Sequence, residues 1–169
     1  MVTEIDSIYL VNAYSDPVII KFRGRASYLN CSPLMSFFKK TIEAGNIRFV
    51  VDFDECIGID STVLGILAGI GLKLRKASKQ GTMNLVRLNP RNLELVKNLG
   101  LHRIMNVVEG DLEWEDPAIM STLSGSQAAD QALMLKAHKA LIEAEPENIK
   151  KFQDVIAFLQ IKEDQQSED

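Results

Sequence analysis

Apolar residues in the N-terminal part of the chain fall into short runs whose spacing alternates between strand-like and helical. The first two runs flank the turn signal Ser15-Asp16-Pro17, so they predict an opening hairpin whose second strand ends before Gly24. The third run is apolar almost throughout, which is typical of a strand that helices bury on both faces. The spacing predicts strands at residues 8–13, 18–22, 47–53, 82–87 and 104–108.

Residues with helical spacing lie between the later strands, and capping signals mark where each helix begins. Ser32-Pro33 suits the cap and first turn of one helix, and Asn89-Pro90 suits the same positions of another. The central helix is expected to begin near Ser61 and to run to about residue 79. The order strand, strand, helix, strand, helix, strand, helix, strand predicts an α/β fold, a mixed β-sheet with helices packed on it.

The C-terminal part of the chain has a different pattern. Two apolar stripes at helical spacing follow a linker rich in small residues, and Pro146 separates them. Helices this short are marginal alone in water, so we expect the hairpin to pack on the rest of the chain or on a second copy, as a homodimer through these helices. The expected divisions are a domain at 1–112, the linker at 113–126, an α-helical hairpin at 127–160 and an acidic, disordered tail at 161–169.

Composition and charge narrow the class of protein. A net charge of -4 and a pI near 5.3 disfavour a nucleic-acid binder, which normally presents a basic face. Cys31 and Cys56 form no paired motif, which favours a reduced setting. The start of the chain has no secretory signal, and the longest apolar stretch, residues 63–72, covers about half a bilayer. We therefore expect a cytoplasmic protein without membrane insertion.

The sequence also lacks the residue patterns of common catalytic and metal sites. No nucleophile elbow surrounds a serine, and no phosphate-binding loop is present. His102 and His138 have no ligand partners near them in sequence, so both are expected at the surface. We expect no enzymatic activity, no cofactor and no metal. A cluster of carboxylates near the third strand could hold a hard cation, but a solvated loop is the favoured interpretation. The cluster comprises Asp52, Asp54, Glu55 and Asp60.

The predicted central helix contains Gly65, Gly69 and Gly71. Glycine inside a helix costs roughly 1 kcal/mol relative to alanine, so a compensating interaction is expected. Close packing of the helix on the sheet is the favoured explanation. The alternative is a bare backbone at a docking surface.

Asp60-Ser61-Thr62 lies where the buried third strand leads into the central helix. Asp and Ser are both favoured caps. The carboxyl edge of the strands is also where open α/β sheets place their sites. A phosphate at this position would be held by the helix dipole and would add roughly -1.5 to -2 charge units. Helix capping is the favoured interpretation of these residues, and a phosphorylation switch that leaves the fold intact is the alternative.

The stretch I-D-S-T-V-L-G-I-L at 59–67 resembles the signature of the STAS family, the anti-sigma-factor antagonists. The stretch V-R-L-N-P-R-N-L-E-L-V-K-N-L-G-L-H-R-I at 86–104 is similar to the family's closing strand, helix and turn. The resemblance covers residues 8–110. The sequence departs from the family at Val63, where many members have glycine, and at 24–27, where an acidic residue is common.

The resemblance implies a STAS-like fold and a regulatory, protein-binding role. In the family, an anti-sigma factor with serine-kinase activity phosphorylates the motif serine, and a metal-dependent phosphatase reverses the reaction. Ser61 would be the phosphoacceptor here, with Thr62 as the runner-up. The implied partner-binding residues are Asp60, Ser61, Thr62, Leu64 and Gly65.

Two other functions remain open from the sequence. The chain could be a STAS scaffold whose serine is never modified, as a subunit of a larger signalling or lipid-transport assembly. It could also be a sensor of a nucleotide or another small ligand. Phosphorylation of Ser61, a complex that is indifferent to Ser61, and ligand-dependent thermal stabilisation distinguish the three.

Overall fold

A computed structural model describes residues 8–109, 119–123 and 125–167. Part of the linker predicted at 113–126 and the last two residues of the predicted tail therefore lie outside the described residues. Within the described part, the predicted alternation of strands and helices is confirmed, and the fold is a mixed α/β sheet with helices packed on it.

The sheet has six strands in the order β5-β4-β3-β2-β1-β6. Strands β2, β3, β4 and β5 run parallel to one another, whereas β1 is antiparallel to both of its neighbours, β2 and β6. The opening hairpin is thus confirmed. The strands are β1 Tyr9–Asn12, β2 Val18–Ala26, β3 Arg48–Ile59, β4 Thr82–Val86, β5 Asn106–Val107 and β6 Ser121–Thr122.

Five α-helices accompany the sheet in the described residues, and two short 3-10 turns lie at Leu101–Arg103 and Pro146–Asn148. Asn89 caps α3 as predicted, because its side chain accepts a hydrogen bond from the backbone N–H of Asn92. In α1, Cys31 takes the cap position instead of Ser32. The helices are α1 Ser32–Glu43, α2 Ser61–Ala77, α3 Pro90–Asn98, α4 Gln131–Ala144 and α5 Ile149–Ser167.

Strands β2 and β3 are longer than their sequence patterns predict. Gly24 does not end β2; with φ +69° it sits at an irregularity, and pairing with β3 continues to Ala26. Two register shifts between these strands break the period of two in β3, so the buried positions become Phe53, Cys56 and Ile59. Of the four carboxylates expected in a solvated loop, Asp52, Asp54 and Glu55 therefore lie within β3, and Asp60 directly follows it.

The C-terminal region adds to the domain at two places. Strand β6, inside the region predicted as a linker, pairs with β1 through Leu10 and Thr122. Helix α5 continues to Ser167, well into the stretch predicted to be a disordered tail. A hydrogen bond from the Gln160 side-chain amide to Asp164, one turn apart, supports this continuation.

Helix α2 lies at the centre of the core, with the sheet on one side and α4 on another. Almost all residues of its first three turns are buried, which explains why it is apolar around nearly its whole circumference. Its N-terminus emerges at the carboxyl end of β3, and this position sets the candidate site. No helix in the described part of the chain is both long enough and apolar enough to cross a bilayer.

Candidate functional site

Asp60 is the capping residue of α2. Its backbone is extended, and its Oδ1 accepts a hydrogen bond of 2.9 Å from the backbone N–H of Val63. Its Oδ2 accepts a second bond of 2.7 Å from the backbone N–H of Tyr28, in the segment between β2 and α1. One carboxylate thus caps the helix and fixes the adjacent loop, and the hydroxyl of Ser61 is not needed as a cap.

Ser61 is the first residue of α2 and is half-buried. Its Oγ lies 3.0 Å from Nε2 of His138, a residue of α4. The other ring nitrogen, Nδ1, lies 2.7 Å from the backbone carbonyl oxygen of Met134. A carbonyl oxygen only accepts, so in the neutral ring Nδ1 carries the hydrogen and Nε2 accepts from the Ser61 hydroxyl.

His138 corrects the expectation that both histidines lie at the surface. Its side chain is 4% exposed, and its ring packs edge-on against Phe152 of α5 at a centroid distance of 5.2 Å. His102 is exposed, as expected. The sequence signal was the position of His138 four residues after Met134 and three before Leu141, which places it on the inner face of the helix.

The glycines of α2 mark the contact between α2 and α4. A β carbon on Gly65 would lie 2.8 Å from Cβ of Ala137, and closer still to the carbonyl group of that residue. A β carbon on Gly69 would lie 3.4 Å from Cβ of Ala140. These two glycines thus allow close packing of helix on helix, whereas packing on the sheet was the favoured expectation. Gly71 faces Met105, just before β5.

The five residues implied as partner-binding differ in accessibility. Asp60 and Ser61 are half-buried at the helix start. Thr62 and Leu64 are 4% and 1% exposed, and Gly65 lies beneath α4. In this arrangement only the first two residues of the predicted surface retain contact with solvent.

Polar contacts hold the helical hairpin in place. The side-chain amide of Asn148, itself buried, donates to the carbonyl oxygens of Leu99 and Leu141 at 2.9 and 2.8 Å. Arg103 forms an ion pair of 2.6 Å with Glu145. These contacts join the turn between α4 and α5 to the end of α3 and the 3-10 turn that follows it.

The carboxylates near β3 are engaged with basic side chains and backbone amides. Asp52 is 1% exposed and is paired with Arg87, whose Nε donates to Oδ1 at 3.0 Å. Arg87 also lies 3.7 Å from Asp54, and Lys21 lies 3.3 Å from Glu55. Across the described residues, no group of three or more potential ligands could hold a metal ion.

Apolar side chains are exposed on segments around the start of α2. Tyr28 and Leu29 follow β2 and are 46% and 58% exposed, and Ile57, near the end of β3, is 59% exposed. The backbone of Tyr28 is bonded directly to Asp60. These exposed side chains are available to a partner protein that docks beside the start of α2.

The fold and the site define a class of protein: a mixed α/β module that presents a serine at the start of a helix following a parallel strand. A family model of the STAS domain matches residues 9–112, so the chain belongs to the STAS family. The match confirms the resemblance seen in the sequence. The hairpin of α4 and α5 lies outside the matched residues.

A solved structure of similar fold is that of the anti-sigma factor antagonist SpoIIAA in its unphosphorylated form. The two chains are 15% identical, with a TM-score of 0.50 over 61% of this chain and 89% of that one. At this identity the similarity concerns the fold. A comparison with curated proteins gives no match.

Proposed function

We propose that this chain is a regulatory protein-binding module of the anti-sigma-factor antagonist type, switched by phosphorylation of Ser61. Its partners are an anti-sigma factor with serine-kinase activity and a serine phosphatase, in a partner-switching pathway of bacterial transcription regulation. It acts in the cytoplasm and is not an enzyme. The observation that carries the proposal is the division of roles at the start of α2: Asp60 caps the helix, so the hydroxyl of Ser61 is not needed for the cap.

A phosphate on Ser61 suits the local electrostatics. It would lie beside the N-terminus of α2, where the helix dipole favours negative charge. The cap itself would remain intact because it belongs to Asp60. The modification would therefore change the charge of the surface by roughly -1.5 to -2 units without removing a bond that holds the helix.

The exposed apolar residues beside the helix start support a protein partner. Tyr28, Leu29 and Ile57 offer exposed apolar area, and the backbone of Tyr28 is bonded to Asp60, the neighbour of Ser61. The similar structure is described as an anti-sigma factor antagonist in its unphosphorylated form, which motivates the choice of partner class. Binding that depends on apolar contacts is weakened when a charge must be desolvated at the same interface.

Phosphopeptide mapping tests the proposal. The full chain is incubated with ATP and the anti-sigma-type serine kinase encoded nearest to it, and the modified peptide is identified by mass spectrometry. We expect phosphate on Ser61 and none on Thr62, whose side chain is 4% exposed. Ser61→Ala should abolish the modification, and Ser36→Ala, at an exposed position of α1, should leave it unchanged. Phosphate found only at another residue would overturn the proposal.

Binding of the same kinase gives a second measurement. Ser61→Asp should weaken binding at least about tenfold, whereas Ser61→Ala should bind and resist switching. Ser36→Asp adds the same charge on an exposed face of α1 and is the matched control. Equal affinities for the wild type and Ser61→Asp would contradict an electrostatic switch.

A second candidate function is favoured by the bond between Ser61 and His138. Since the hydroxyl already has a partner inside the molecule, the serine could be purely structural and the chain an unmodified scaffold subunit of a larger assembly. That function predicts a stable complex with equal affinity for the wild type and Ser61→Ala, and no phosphate on Ser61 after incubation with the kinase.

A further inference from the structure

We propose that helix α4 covers the surface around Ser61, and that the hairpin of α4 and α5 cannot keep this packed position, its closed state, while Ser61 carries a phosphate. The proposal rests on the proposed function, since it concerns the regulation of the same serine. It makes the hairpin of α4 and α5 an autoinhibitory cover that modification or partner binding must displace.

In its present rotamer, Ser61 has no room for a phosphoryl group on the side of Oγ that faces His138. Oγ lies 3.0 Å from Nε2 of His138, and the ring is held from behind by Phe152 and by the carbonyl oxygen of Met134. A phosphorus atom bonded to Oγ, with its three further oxygens, would need space that the imidazole ring now fills. Either the serine side chain turns away, or α4 moves.

The hydrogen-bonding pattern gives an independent reason. The Ser61 hydroxyl donates to Nε2 of the neutral ring, because Nδ1 carries the hydrogen that Met134 accepts. Phosphate and carboxylate oxygens only accept, so either group at residue 61 would remove the hydroxyl donor on which the bond to Nε2 of the neutral ring depends. The closed hairpin would lose a bond that stabilises it.

The surface that α4 covers is shaped for a helix with small side chains. Gly65 and Gly69 on α2 face Ala137 and Ala140 on α4, so the backbones approach closely. Leu64 and Gly65, which the family resemblance implies as partner-binding residues, are buried here. A partner that uses this face must therefore remove α4 first.

The hairpin is an addition to the STAS domain. The family match ends at residue 112, and α4 begins at Gln131. The segment that leads into α4 is bonded to the loop beside the site, since Ala129 donates to the carbonyl oxygen of Tyr28 at 2.6 Å. The segment before α4 is thus bonded to the same loop residue, Tyr28, whose backbone N–H donates to Asp60.

Hydrogen–deuterium exchange of full-length Ser61→Asp at pH 8 tests the cover without a kinase. We expect the amides of the second half of α4 to lose protection at least about tenfold, while β3 and α3 keep theirs. Ser36→Asp, on the exposed face of α1, should leave α4 within about twofold of the wild type. Protection of α4 in Ser61→Asp equal to that in the wild type would overturn the proposal.

A disulfide across the helix contact supplies the second arm. Cβ atoms at residues 69 and 140 would lie 3.4 Å apart, close to the separation of about 3.5–4.5 Å in disulfides. In Gly69→Cys/Ala140→Cys with Ser61→Asp, oxidation should restore the protection of α4, and dithiothreitol should remove it. If the oxidised protein stays unprotected, the effect of the aspartate is not displacement of α4, and the cover is rejected.

The same disulfide in the background with Ser61 intact covers the case in which Ser61→Asp does not fold. Because the disulfide lowers the fraction of molecules with an open hairpin, oxidation should slow phosphorylation of Ser61 by the kinase at least about tenfold, and reduction should restore the rate. Equal rates would reject the cover. A kinase that never modifies Ser61, with α4 still released by Ser61→Asp, would reject the proposed switch and leave the cover standing. The two proposals can therefore fail separately.

Discussion

Gly65 on α2 packs directly against Ala137 on α4, so closely that a side chain at position 65 has no space between the two helices. Replacing Gly65 with alanine raises helix propensity by about 1 kcal/mol, yet its β carbon would lie 2.8 Å from that of Ala137. Overpacking of this kind typically costs about 1–3 kcal/mol. We therefore expect Gly65→Ala to lower the free energy of unfolding and to raise hydrogen exchange in α4, as measured by urea titration and by mass spectrometry.

Gly69→Ala is the matched control for this substitution. It lies one helical turn further along α2 and gains the same propensity, but its β carbon would lie 3.4 Å from Ala140, where a small adjustment suffices. We expect its stability to equal or exceed that of the wild type by up to about 1 kcal/mol. If Gly65→Ala and Gly69→Ala change the free energy of unfolding equally, α4 does not pack closely against Gly65.

The sequence predicts the start of α2 well because the information there is local. Asp60 and Ser61 follow an apolar strand and precede an apolar helix, and capping chemistry is decided within a few residues. The length of β3 was not predictable in the same way. Its buried residues Phe53, Cys56 and Ile59 are spaced by three because the register with β2 shifts twice, and a period of two cannot reveal them.

The contact between Ser61 and His138 could not be predicted from the sequence, for a different reason. His138 is 77 residues away along the chain, and nothing local links the two positions. Helical spacing correctly predicts that Ala137 and Ala140 lie on one stripe of a helix and that the central helix contains three glycines. That these two sets face each other is a long-range relationship, which only the tertiary structure specifies.

His138 is expected to contribute to stability as well as to the site. His138→Ala would leave a cavity beside Phe152 and remove the acceptor of the Ser61 hydroxyl. Truncation of a large buried side chain costs about 2–5 kcal/mol, so we expect a loss near the lower end of that range in urea unfolding. His102→Ala, at an exposed position, should change stability by less than about 0.5 kcal/mol. A similar small change for both variants would show that His138 is not held in the core.

The ion pair of Asp52 and Arg87 offers a test at the other side of the sheet. Asp52 is 1% exposed, and Arg87 holds it from a backbone with φ +57°, which is unusual for a residue with a side chain. Arg87→Ala would leave the carboxylate buried without its cation, which typically costs about 3–5 kcal/mol. Arg91→Ala, at an exposed position on α3, is the control. If Arg87→Ala and Arg91→Ala unfold at the same urea concentration, Arg87 does not compensate the buried charge of Asp52.

The two buried thiols predict how stability changes in alkali. Burial raises the pKa of the Cys31 thiol from 9.0 to about 11, with a further contribution from the charge of Asp60. Burial likewise raises the pKa of the Cys56 thiol from 9.0 to about 11. Both thiols thus have a higher pKa in the folded than in the unfolded chain. The stability that the two thiols contribute is complete at pH values below their pKa in the unfolded chain. It is lost as the pH rises through their pKa in the folded chain.

We therefore expect the free energy of unfolding to fall as the pH rises from 9 to 11, because the unfolded chain releases thiol protons first. Burial also raises the pKa of the Tyr9 hydroxyl, which adds to the fall at the upper end of this range. Cys31→Ala removes one of the three groups. It should lower stability at pH 7 through lost packing, but it should flatten the decline between pH 9 and 11. Urea titrations at four or more pH values separate the two effects, since only the slope reports the thiol. A slope identical to that of the wild type would mean that Cys31 ionises in the folded and unfolded chains alike.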